Sequence, residues 1–125
     1  MISSFGISGN TPAAAGGLVV TSANTDTTIH TIPANTTAFF TSIRCVNIGA
    51  VPLLYSIWIV RAGSGNIDRL IGHDTNPLTN LPAGVAEDQV DPNEIILMTG
   101  DSLHARCNNA ASLHITYSYF ARPNA

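Results

Sequence analysis

A chain of 125 residues and 13.1 kDa has room for one hydrophobic core and is too short for two ordinary domains. Five arginines, no lysine and eight acidic residues leave only 10% of the chain charged, against roughly 25% in typical soluble domains, which excludes a basic nucleic-acid groove. No apolar run approaches the roughly 20 residues that a membrane-spanning helix needs.

The first residues, Met1-Ile2-Ser3-Ser4-Phe5-Gly6, have neither the basic region nor the apolar stretch of a secretory signal, so a cytoplasmic product is expected. Residues 1–17 are rich in Ser, Gly and Ala and hold too little apolar surface to fold alone. They read as an N-terminal arm preceding a single domain over 18–125. Ile2, Phe5 and Ile7 are its candidate anchors on a neighbouring subunit, because apolar groups on a solvated tail gain about 25 cal/mol per Å² on burial.

Over the whole chain, twenty Ile and Val and thirteen Thr are interrupted every few residues by seventeen Gly and Pro, a mixture that favours short strands joined by turns. Strands are expected at Leu18–Ser22, Thr27–Ile32, Thr37–Asn47, Leu53–Arg61, Asp68–Ile71, Glu94–Met98, Ser102–Cys107 and Ser112–Ala121. In Thr37–Asn47 the odd positions Phe39, Ile43 and Cys45 share one face, with Phe40 as an exception. Leu53–Arg61 is apolar on nearly both faces, as in a strand covered on both sides, and Trp58 belongs under a loop or in a subunit contact. Leu103, Ala105, Cys107, Leu113, Ile115 and Tyr117 alternate inward, leaving His104 and His114 outward. Asn108-Asn109-Ala110-Ala111 suits a hairpin turn that would bring the two histidines together. The sum is an all-β fold: an antiparallel β-sandwich or jelly roll of about eight strands with an extended N-terminal arm.

Chemistry-bearing motifs are sparse. No G-x-S-x-G elbow announces an activated serine, and Gly63-Ser64-Gly65-Asn66 lacks the Gly-Lys-Ser/Thr of a phosphate loop. No catalytic residue, cofactor or resident metal is expected. A His104–His114 pair would supply two metal ligands without a third. Glu87, Asp88, Asp91 and Glu94 lack calcium-loop spacing and read as a solvated acidic stretch, from which Asp88 and Asp91 are candidate contacts to an arginine-bearing partner. The stretch lies in or beside the long connection 72–93, where no strand or helix period is evident. Cys45 and Cys107 have no zinc-type spacing and are expected as reduced, buried thiols. Asn35-Thr36-Thr37 matches a glycosylation sequon but reads as a turn entering a strand.

Thr27-Thr28-Ile29-His30-Thr31-Ile32-Pro33-Ala34-Asn35-Thr36-Thr37-Ala38, followed by the strand to Asn47, resembles small virion proteins of tailed bacteriophages, with their strand ending in Val/Ile-Pro-Ala, polar turn and second strand. Ile95-Ile96-Leu97-Met98-Thr99-Gly100-Asp101-Ser102-Leu103-His104-Ala105 is similar to their apolar strand, Gly-Asp turn and alternating strand, and the likeness covers 18–121. The connection 72–93 is longer than that pattern. The resemblance implies a β-sandwich structural protein of the virion: a capsid cement or decoration protein, or else a collar, head-fibre or tail-associated component. Its expected partners are copies of itself, as a homotrimer, and the major capsid protein or another virion protein, with assembly in the host cytoplasm and no nucleic acid or membrane. A lectin-like module stacking sugars on Trp58, Tyr117 or Tyr119 is the reading from another class, and an enzyme is the third.

Overall fold

Alternation along each strand puts one side chain in two on a common interior, and two sheets close over it. The computed structural model describes residues 13–72, 79–88 and 95–124. Within them are ten strands: β1 (Ala13–Val20), β2 (Thr27–Thr31), β3 (Thr36–Asn47), β4 (Leu53–Val60), β5 (Ile67–Ile71), β6 (Thr79–Leu81), β7 (Ala86–Asp88), β8 (Ile95–Leu97), β9 (Ser102–Cys107) and β10 (Leu113–Pro123). The first sheet runs β1-β10-β3-β7 with β8 also on β3; the second runs β2-β9-β4-β5 with β6 also on β4. Every pairing is antiparallel. First strand beside last in one sheet and second beside next-to-last in the other is the winding of a jelly roll, the expected all-β class.

Ile43, Cys45, Leu113 and Ile115 of the first sheet face Tyr55, Ile57, Leu103, Ala105 and Cys107 of the second, all fully buried. Each large side chain among them contributes about 2 kcal/mol relative to exposure. Both cysteines are buried thiols outside any disulfide; burial pushes the Cys107 thiol up despite nearby hydrogen bonds, which keeps it unreactive.

Four features differ from the sequence reading. The reading that groups Phe39 with Ile43 and Cys45 is corrected by a bulge. Ser118 pairs with Ser42 but Tyr119 with Phe40, so Thr41 is an extra residue and the parity of β3 flips there. Phe40 and Ala38 point inward, Phe39 outward. The expected 108–111 hairpin is absent, because β9 and β10 belong to different sheets and the connection crosses between them, with Ala111 taking the left-handed conformation at φ 54°. The connection 72–93 contains β6 and β7, whose three residues each are too few to show a period. Finally, β1 takes in Ala13–Gly17, which composition alone gives to the arm.

That last strand forms because Tyr117 completes it. Gly16 pairs with Tyr117, and a β-carbon at Gly16 would lie 2.7 Å from the ring carbon bearing the hydroxyl, so the ring rests across the glycine and covers the edge backbone. Gly16→Ala is expected to lower stability by about 1–3 kcal/mol, since a rigid ring must move. Unchanged urea unfolding would contradict this contact.

Candidate interaction face and a serine–histidine–aspartate relay

Directly opposed residues on antiparallel strands project from the same side. The register aligns Phe120, Phe39 and Ile96 across β10, β3 and β8, and because Ala38 and Phe40 point inward, this row lies on the outer surface of the first sheet. Phe120 is 37% exposed and Ile96 38%; Met98, whose sulfur accepts a hydrogen bond from Thr37 Oγ1 at 3.8 Å, is 54% exposed beside them. The Arg122 guanidinium lies 5.5 Å from the Phe39 ring centre. The outer face of a sandwich is ordinarily polar. Ile48, Val51 and Val85 form a second exposed apolar group on the turns following β3 and preceding β7.

The sequence-predicted contacts are distributed unevenly over this frame. Ile2, Phe5, Ile7 and Asp91 lie outside the described residues. Asp88 occupies the β7 position opposite Arg44. His104 and His114 are not brought together. His114, on the first sheet, pairs with Val19 and Val46, and His104, on the second, pairs with Trp58 and Thr28. Among the described residues no group of three or more His, Cys, Asp or Glu could hold a metal ion.

Of the three aromatic side chains suited to sugar stacking, Trp58 and Tyr119 are covered and Tyr117 is half-buried. Trp58 is 2% exposed, stacked on His104 at 5.6 Å and 20°. Tyr119 is 5% exposed, and Tyr117 is half-buried in a cluster with Phe40 and His30. His30 Nε2 hydrogen-bonds the Tyr119 hydroxyl at 2.8 Å, and burial holds the imidazole below its ordinary value of 6.5. Above that value the ring is neutral whether the chain is folded or not. As pH falls below it the unfolded chain takes up a proton first, so stability drops until the folded ring also titrates. A His30→Gln variant is expected to lose this component of the decline below pH 6.5 in thermal unfolding; parallel wild-type and variant curves would contradict it.

One constellation was not legible in the sequence. β9 carries Ser102 and His104 two positions apart on the same outer face, and Asp26 reaches across from the turn preceding β2. His104 Nδ1 lies 2.7 Å from Asp26 Oδ1, and its Nε2 lies 2.7 Å from Ser102 Oγ. The His104 side chain is 12% exposed and Asp26 49%. Ser-x-His on an alternating strand is a faint local signal; Asp26 lies 78 residues away, so only the fold supplies it.

No protein-family model matches the chain, and no curated protein matches it.

Proposed function

We propose that this chain is a structural protein of a tailed-bacteriophage virion, a cement or decoration protein that grips neighbouring shell subunits. The observation that carries the proposal is the row of half-buried Phe39 and exposed Phe120 and Ile96, with Met98 beside it, on the outer face of the first sheet. A charge-poor surface with an apolar stripe on one side is suited to burial against another protein. The jelly-roll winding supports the reading without carrying it, since lectin-type domains share that architecture. The covered positions of Trp58 and Tyr119 disfavour the lectin alternative.

In this reading the protein works as a homotrimer whose copies each contact the major capsid protein or another virion protein. Simultaneous attachment makes individually weak contacts strong. The row supplies one contact, and the apolar side chains of Ile2, Phe5 and Ile7 supply another. Placement on a collar, head fibre or tail in place of the shell would be distinguished by imaging.

The double variant Ile96→Asp and Phe120→Asp tests the row. Each side chain buried in a contact is worth about 1.5–3 kcal/mol, so co-sedimentation with phage heads lacking the protein is expected to weaken by at least about tenfold. Folding stability is expected to change by no more than about 0.5 kcal/mol, as for other exposed positions. Undiminished attachment would rule out the row as the gripping surface.

A further inference from the structure

We propose that Ser102 is a covalent modification site, a hydroxyl activated by His104 and Asp26 that takes the acyl group of an activated ester. The order of the hydrogen bonds carries the proposal. Asp26 accepts from Nδ1–H of His104, which fixes the tautomer and leaves the Nε2 lone pair to accept the Ser102 hydroxyl proton, each at 2.7 Å. Trp58 stacks on the imidazole and holds its plane, so the base does not have to be ordered when a reagent arrives. Ser102 itself is half-buried on the outer face of the second sheet.

In the step, Ser102 Oγ attacks the ester carbonyl carbon while its proton passes to His104 Nε2. The tetrahedral adduct collapses, the bond to the leaving alkoxide or aryloxide breaks, and His104 returns the proton to that group. The product is a serine ester, a neutral imidazole and a free alcohol or phenol. β9 is paired on both sides, by β2 and by β4, which occupies its backbone amides in the ladders. The anion that develops at the carbonyl oxygen therefore has no amide pair from β9 to receive it, so only esters with good leaving groups react and the acyl group stays on Ser102. The site is one of stoichiometric acylation, not of turnover.

The test exposes the full chain to p-nitrophenyl acetate and, separately, to a fluorophosphonate, followed by intact mass and peptide mapping. One adduct is expected, on Ser102, and none on Ser102→Ala. His104→Gln is expected to slow adduct formation about a hundredfold. Asp26→Asn, at a half-exposed position, is expected to slow it about tenfold while leaving thermal unfolding near that of wild type, and it decides the matter if His104→Gln does not fold. Adducts spread over other hydroxyls, or labelling of Ser102→Ala at the wild-type rate, would overturn the proposal. So would an unchanged rate in folded Asp26→Asn.

Discussion

Asp101→Ala is expected to destabilise the fold by about 3 kcal/mol, the lower end of what breaking a buried charge pair costs. Only 5% of the Asp101 side chain is exposed. One carboxylate oxygen accepts from the Ala62 amide at 2.9 Å, and the other accepts from the Met98 amide at 2.8 Å and from Arg61 Nη1 at 3.0 Å. Ile32 N–H donates to the Asp101 carbonyl, and Gly100 N–H donates to the Ile32 carbonyl. One residue thus ties together the ends of β2, β4 and β8. Alanine would leave two amides without their acceptor. The cost stays near the lower bound because Arg61 keeps Asp68 at 2.7 Å and the Ile96 carbonyl at 2.7 Å.

The same carboxylate makes the protein sensitive to acid. Burial alone would raise its pKa, but the Met98 and Ala62 amides and the Arg61 guanidinium outweigh burial and hold the group below its ordinary 3.8. A depressed folded value stabilises the native state above the unfolded value and is lost as pH falls through the folded one. Urea unfolding of wild type and Asp101→Ala should therefore differ most at neutral pH and converge in strong acid. A difference under about 1 kcal/mol at neutral pH would contradict the account of this knot.

The second large effect is expected at Asn47, which is fully buried at the end of β3. Its amide group donates to the Val51 carbonyl at 2.8 Å and the Leu81 carbonyl at 2.9 Å, and its side-chain oxygen accepts from Gly49 N–H at 2.9 Å. Its backbone bonds Val85 and Gly84. Asn47→Ala removes three hydrogen bonds at about 1 kcal/mol each and is expected to cost about 2–3 kcal/mol. Asn47→Asp should be at least as damaging, because a carboxylate would face two carbonyl oxygens. Hydrogen exchange should rise first at residues 48–52 and 82–85, the turns that Asn47 joins. Protection unchanged there in a folded Asn47→Ala protein would refute that role.

These two residues also show what the chain made legible. Alternation from Leu103 to Cys107 placed three buried side chains correctly, because strict period two survives wherever one face is dry. The Gly100-Asp101 turn was readable too: Gly100 has φ 85°, and Asp101 bonds nearby amides. Its partner Arg61, 40 residues away, was not. Phe39 and Phe40 were misplaced because a bulge at Thr41 flips the parity, and nothing local to β3 announces the extra residue. Strand assignment to sheets was invisible for 108–111, since alternation gives faces but not neighbours. The apolar row across β10, β3 and β8 and the Ser102–His104–Asp26 relay share this cause: each joins residues from strands or turns distant in sequence.

Imaging of the native particle at side-chain resolution is expected to find this fold on the virion, with Phe39, Ile96 and Phe120 pressed against a neighbouring subunit. A free monomer bound to no particle, or a virion copy whose row faces solvent, would contradict that expectation.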